Sequence, residues 1–327
     1  MKHLPSYILL LLAANACNLD NLERTYDLTP KDNVPVLVMN ALMDGGEESH
    51  SIELFTSYAQ TTEMATASNL AVEVNGSPVH AGASQKGGEV IYSAFHSGDR
   101  LSIRATAGSR TVSAEVTVPE KPEILSCEGV LSDGTMICHI TLRDKPGVKN
   151  WYRISVDESL AYDRYSRYGT LISHQEEYNH SRDIDTSHDP VISSGYTSEG
   201  NDLFSAMVPE NTWNIFSDDG FEGKEVTLRV DVPVGSLRER IAQLKNWNKN
   251  NGEDYEEFQN IEGSFILKVY GISQDQYQYL KAVTQMEFSG SDFNFLVEPI
   301  PLPTNVIGGL GLVAVDMPTP VRVESGL

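Results

Sequence analysis

The 327-residue chain carries 24 Lys and Arg against 46 Asp and Glu, a formal charge of −22, with 40% hydrophobic and 21% charged residues. That balance is globular rather than disordered or fibrous, and the length predicts about two domains, each able to bury a core. The acidity argues against a non-specific nucleic-acid binder and leaves no polybasic patch for anionic lipid, because both need clustered Lys and Arg.

The chain opens with Lys2 and His3, then an apolar run over residues 7–14, then Asn15-Ala16-Cys17. A basic start, a short apolar core and a small residue before the cleavage point predict a secretory signal peptide over residues 1–16. The run is about half of the roughly 20 residues a membrane-spanning helix needs, and no later segment approaches that length. Ala14-Asn15-Ala16-Cys17 resembles a bacterial lipobox, in which the cysteine is diacylated and becomes the first mature residue; Leu is usual where Ala14 stands. Cys17 is the expected anchor, since two or three acyl chains hold a protein stably on a membrane. The alternative is an ordinary signal peptide cut near Ala16, leaving a free thiol. Residues 17–32 are polar, with Asp20, Glu23, Asp27 and Asp32, and read as a lipidated tether.

Residues 33–120 are expected to form an immunoglobulin-like β-sandwich. The nearly all-apolar stretch 34–42 suits a buried strand. Ile52 and Leu54 alternate with Ser51 and Glu53, and later Leu101, Ile103 and Ala105, then Val112, Ala114, Val116 and Val118, alternate with polar residues. Asn75-Gly76 supplies the positive φ angles of a type I′ hairpin. Pro78 then confines the following strand to a sheet edge. Short strands with one apolar face each bury those faces by stacking.

Pro119-Glu120-Lys121-Pro122 punctuates the chain and marks the domain boundary. Residues 121–327 are read as a second β-rich domain, with strands over residues 125–130, 136–142, 152–156, 226–232 and 265–270. Two helices interrupt them: Ser236-Leu237-Arg238-Glu239 and Ser273-Gln274-Asp275-Gln276 both fit a capping box. Residues 159–211 read as a long polar loop, a length that is usually functional or disordered.

Cys127 and Cys138 flank Ser132-Asp133-Gly134-Thr135, a hairpin-turn signal. A four-residue loop sets them directly opposite, and a two-residue loop sets them diagonally on one face. A disulfide and two buried thiols both stay open at this point.

Three further stretches resemble a family of Bacteroidota lipoproteins, number 4249 among the families of domains of unknown function. They are Ser97-Gly98-Asp99-Arg100-Leu101-Ser102-Ile103 running on to Pro119-Glu120-Lys121-Pro122, then Ile272-Ser273-Gln274-Asp275-Gln276-Tyr277-Gln278-Tyr279-Leu280, and Glu298-Pro299 followed by Asn305-Val306-Ile307-Gly308-Gly309-Leu310-Gly311. The resemblance implies an outer-membrane lipoprotein, often encoded beside a TonB-dependent receptor, with no established catalytic residue. Surface display would place acidic residues just after the lipidated cysteine, and Asn18-Leu19-Asp20-Asn21-Leu22-Glu23 meets that in part.

Chemistry is sparse. Gly308-Gly309-Leu310-Gly311 lacks the Lys-Ser/Thr of a P-loop and the spacing of a dinucleotide fingerprint, so it reads as a turn or a close backbone approach, and no cofactor is expected. His174, His180 and His188 lie among acidic residues and are weak metal candidates, without an HExxH or an EF-hand pattern. No Gly-x-Ser-x-Gly elbow is present. Trp151, Tyr152, Tyr162, Arg164, Tyr165, Arg167 and Tyr168 are rich in the residue types of binding hot spots and form the candidate contact surface. The expected function is therefore non-enzymatic, as an accessory or binding subunit of a TonB-dependent receptor. The alternatives are stand-alone capture of a glycan or peptide and, last, metal-assisted hydrolysis through the three histidines.

Overall fold

The computed structural model describes residues 35–57, 61–179, 184–193, 210–250, 256–289 and 301–327; side chains at 248–250 and 287–289 are excepted. Cys17, the expected signal peptide and tether around it, and His180 lie outside the described residues.

The protein is mainly β. The first strands are β1 (Val36–Asp44), β2 (Ser49–Ser57), β3 (Thr62–Met64), β4 (Asn69–Val74), β5 (Ser77–Gly82), β6 (Gly88–Tyr92), β7 (Arg100–Ala107) and β8 (Arg110–Thr117). β1, β2, β3 and β6 belong to one sheet, and β5-β4-β7-β8 make a second. Their apolar faces meet: Leu37, Met39, Ile52, Leu54 and Ile91 pack with Leu70, Val72, Leu101, Ile103 and Val112. This is the sandwich that the period-2 patterns require. Asn75 and Gly76 take φ of 53° and 76° at the β4–β5 turn, and β5, with Pro78, is a sheet edge. Strand β1 departs from a fully buried strand: its odd-numbered residues face the core while Leu42 is exposed.

The next elements are β9 (Glu123–Ser132), β10 (Thr135–Arg143), β11 (Trp151–Ser166), β12 (Leu171–Asn179), the short helix α1 (Pro190–Ser193), β13 (Ile215–Ser217) and β14 (Glu225–Pro233). They are followed by α2 (Gly235–Asn250), β15 (Glu256–Ile272), α3 (Gln274–Ser289) and β16 (Val313–Glu324). The sheet β14-β10-β9 packs on β11 and β15. Met136, Ile140, Leu142, Leu228 and Val230 meet Ile154, Val156, Phe265, Leu267 and Val269 in a second core. Helix α2 covers the same core with Leu237 and Ile241, whereas α3 packs Leu280 and Tyr277 on Trp151, Tyr270 and Ile272 across the sheet.

One long sheet joins the two cores, in the order β12-β11-β15-β16-β1-β2-β3. The junction is β16. Its first residues pair in parallel with β1, Ala41 with Val313 and Asp44 with Asp316. Its later residues pair antiparallel with β15, Gly271 with Met317 and Ser264 with Glu324. Val313 and Val315 accordingly sit in the first core and Val323 in the second.

The segment Gly308-Gly309-Leu310-Gly311 closes the first sandwich. Ile307 exchanges two backbone hydrogen bonds with Ser113 of β8, of 2.7 and 3.0 Å, while Leu310 bonds Leu37 and Met39 of β1. A Cβ on Gly309 would lie 2.2 Å from the Leu37 carbonyl oxygen, and one on Gly311 2.1 Å from that of Met39. The chain thus joins edge strand β8 to the part of β1 that precedes its pairing with β16, at a distance only glycine allows.

The stretch 159–211 is not one long loop. Residues 151–166 form β11, and residues 171–179 return beside it as β12, with Ser159 opposite Tyr178 and Asp163 opposite His174. Its polar residues hid the strand because their partners are distant in sequence: Arg164 bonds Glu256 at 2.6 and 3.1 Å, and Lys268 pairs with Asp157 at 2.9 Å. The two capping boxes also differ from expectation. Ser273 accepts the Gln276 N–H at 3.2 Å, but the Gln276 amide turns away to Asp316. Ser236 lies inside α2, whose first turn closes onto the Val234 carbonyl, and its hydroxyl donates to Glu158 at 2.6 Å.

Candidate functional site

The aromatic and arginine residues singled out in the sequence do not form one surface. Trp151 and Tyr152 begin β11 and Arg167 and Tyr168 follow its end, so about 50 Å of extended chain separates them. Two distinct sites result.

The first is the end of the β11–β12 hairpin. Residues 167–169 make a three-residue loop whose geometry is fixed by Gly169 at φ 75°, a residue type that tolerates the left-handed region. The Ser166 N–H donates to the Thr170 carbonyl and the Gly169 N–H to the Ser166 carbonyl, both at 2.8 Å. The Ser166 hydroxyl oxygen accepts the N–H groups of Tyr168 and Thr170 at 3.3 and 3.2 Å. Upon this rigid turn the Arg167 guanidinium lies 4.7 Å from the Tyr168 ring centroid, and Tyr168 is 80% exposed. Leu171 and Ile172 are each about half exposed beside it. Arg164, bound to Glu256, and half-buried Tyr165 flank the loop. Tyr162 does not reach this surface: it is buried, edge-on to Phe258, and donates its hydroxyl to Glu177 at 2.5 Å.

The second site is a cleft of about 560 Å³ at the junction of the two cores, within the usual range for ligand pockets. Its walls come from the 119–122 linker, the β10–β11 loop, the start of β11 and the end of β15. Tyr152 supports it from beneath. Its ring stacks on Phe216 at 5.2 Å, and its hydroxyl donates to the buried Asp144 carboxylate at 2.5 Å. Burial, then that carboxylate, push the Tyr152 phenol far above its ordinary pKa, which keeps it a neutral donor. Asp144 also accepts the Asn150 amide at 3.1 Å and the Gly223 N–H at 2.7 Å, which ties the loop to residues 216–224. Lys149 reaches the fully buried Asp218 and, at 2.5 Å, Asp219. Burial lowers the Lys149 pKa, and the two carboxylates outweigh it and raise it. The sequence showed these residues only as a linker and a loop. The one available signal was the density of Pro, Lys and Glu over residues 119–123 and 143–149.

The remaining candidates are placed as follows. The β9–β10 turn has two loop residues, Asp133 and Gly134, so Cys127 opposes Ile140 and Cys138 opposes Gly129. That diagonal spacing is about 7–8 Å between Cα atoms, beyond the reach of an unstrained disulfide. Both thiols are free, and burial raises them to about 11 for Cys127 and about 12 for Cys138. The His174 Nδ1–H donates to the Asp163 carboxylate at 2.8 Å, on the exposed side of β12. His188 lies 3.4 Å from Asp231 and 3.6 Å from Asp185, the three forming a possible ligand set. The Arg229 guanidinium, however, forks onto both Asp231 oxygens at 2.8 and 2.9 Å, neutralising the charge a cation would need. His174 belongs to no such set among the described residues.

These features define a two-core β-sandwich protein with a preformed hairpin end and a junction cleft. Within that class the chain belongs to the family described as Domain of unknown function (DUF4249), whose model matches residues 23–317. No curated protein matches it. Among solved structures it is similar to a beta-glucuronidase of Parabacteroides merdae carrying glycerol in its active site, at 10% identity over 74% of this chain. The chain spans 23% of that enzyme, and the TM-score of 0.20 carries no argument about fold or activity. No helix among the described residues is long and apolar enough to cross a membrane.

Proposed function

We propose that this protein is a lipoprotein held on the outer membrane through Cys17, and that it acts by binding, as an accessory subunit of a TonB-dependent receptor. The observation that carries the reading is the hairpin end. Aromatic and arginine side chains dominate protein contacts when they are presented rigidly, because little side-chain entropy is lost on docking. Tyr168, Arg167, Leu171 and Ile172 stand exposed on a loop already fixed by its own hydrogen bonds.

The position of that end supports the same reading. The tether enters at β1, and the sheet then runs outward through β16 and β15 to Glu256, beside the hairpin loop. Measured along the paired strands this path is about 75 Å. The start of β1 and the hairpin loop therefore lie at opposite ends of this path, so a chain tethered through its amino-terminal side would present the hairpin outward.

The test is affinity capture of the tagged full chain from detergent-solubilised native membranes, comparing wild type with Tyr168→Ala/Arg167→Ala. A TonB-dependent receptor recovered near stoichiometry with wild type, and at least about tenfold less with the variant, is the expected result. Recovery of the chain alone, where a known control complex survives, overturns the accessory role. A Cys17→Ala protein that stays in the membrane fraction overturns the anchor.

A further inference from the structure

We propose that the junction cleft is a binding site for a neutral saccharide. The inference is independent of the hairpin reading, since the two sites occupy different parts of β11.

The chemistry of the walls selects the ligand class. One part is apolar: half-buried Trp151 and Pro119, exposed Pro146, and buried Ile272 and Pro122 behind them. The other part is a rim of ions in which carboxylates outnumber the cations that hold them, with exposed Lys121 beside them. Lys145 bonds Glu120 at 3.0 Å, Arg143 bonds Glu123 at 2.8 Å and Glu225 at 2.9 Å, and Lys149 holds Asp218 and Asp219. An anionic ligand would meet that carboxylate excess, and a cationic one would compete with Arg143, Lys145 and Lys149 for carboxylates they already hold. A purely apolar ligand would bury these ions without new partners, which is costly.

A sugar ring avoids both penalties. Its hydroxyl groups donate to carboxylates and accept from ammonium and guanidinium groups, so they add to the rim without breaking it. Its C–H face is apolar and suits the indole and proline surfaces. The cleft is also set before any ligand arrives. The backbone of Glu120 crosses Gly271 so closely that a Cβ there would lie 2.1 Å from the Glu120 carbonyl oxygen. Asp144 locks the opposite wall through Tyr152, Asn150 and Gly223. A rigid cavity loses little freedom on binding, which small polar ligands require.

Isothermal titration of the purified full chain with neutral oligosaccharides (malto-, cello-, xylo- and mannohexaose) tests this, with hexagalacturonate as the charged control. Saturable binding of at least one neutral sugar is expected, with hexagalacturonate at least about tenfold weaker. Glu120→Gln, on the exposed rim, should weaken binding by about fivefold. Trp151→Ala should abolish it; because Trp151 also packs on Ile272 and Leu280, Val148→Trp supplies a second variant that fills the cleft mouth from an exposed position and should abolish it too. Tyr168→Ala should leave it unchanged. No saturable binding of any neutral sugar up to about 10 mM overturns the proposal. So does preferred binding of hexagalacturonate, or wild-type affinity in Val148→Trp. Loss of receptor capture in the hairpin variant with sugar binding intact would separate failure of one site from failure of the other.

Discussion

The first sandwich and the ribbon formed by β12, β11 and β15 belong to one sheet but are held together by different means. In the sandwich, strands contribute one apolar face each, and both sheets are sealed by a backbone segment that passes within contact distance of β1 and β8. Along the outer ribbon, cross-strand polar contacts do much of the pairing: Arg164 with Glu256, Asp163 with His174 and Asn260, Glu176 with Arg322 and Ser159. The contrast teaches where stability and where function can reside. Apolar closure is worth kcal/mol per residue, and partly exposed ion pairs contribute roughly 0–1 kcal/mol. Apolar closure therefore stiffens the first sandwich, while the hairpin end of the ribbon can carry a contact surface at little cost to the fold.

The comparison can be broken most directly at the closure. Gly309→Ala places a methyl 2.2 Å from the Leu37 carbonyl oxygen and 2.5 Å from Val112. The expected loss is about 3 kcal/mol, read as a fall in the urea midpoint. A change under about 1 kcal/mol would mean that the segment is not a tight seal.

At the ribbon the effect should be smaller. Arg164→Ala removes both bonds to Glu256, yet each partner is more than a third exposed, so the expected cost is about 0.5 kcal/mol. A cost near that of Gly309→Ala would erase the distinction between the two regions.

The smallest effect is pH-dependent. The Arg322 bond first, then Tyr178 and Ser159, hold Glu176 down to about 2 from an ordinary 4.5. For a carboxyl group lowered in the folded state, the stabilisation is fully present above the unfolded pKa and is lost as pH falls toward the folded one. Wild type should exceed Glu176→Gln by a few tenths of a kcal/mol at pH 6, solvent screening having reduced the pair. The gap should close between about pH 4.5 and 2, and a gap that widens on acidification would reverse the assignment.

Much of the sandwich was legible in the sequence because its signals are local. Leu101, Ile103 and Ala105 alternate whatever surrounds them, and Asn75-Gly76 sets its own turn angles. The helices at Ser236 and Ser273 were legible for the same reason, although Ser273 makes only half of its capping box and Ser236 none of it. Strand β11 was half hidden. From Asp157 onward its residues look like a solvated loop until Lys268, Glu177 and Glu256 are brought beside them. The candidate surface suffered similarly: Trp151 and Tyr168 are 17 positions apart, and only knowing that the intervening chain is extended shows that they serve different sites.

By itself the sequence determined the β-rich class, the alternating strands of the first core and the two long helices, while the close approaches that require glycine at 308, 309 and 311 came with the fold. Tertiary structure alone decided that residues 313–317 return to the first core, that the cysteines sit diagonally on their hairpin, and that the linker prolines wall a cleft. The physical reason is range. Periodicity and turn chemistry act over a few residues, whereas an ion pair or a parallel strand pairing joins residues such as Arg153 and Asp316, or Asp44 and Asp316, that meet only when the whole chain has folded.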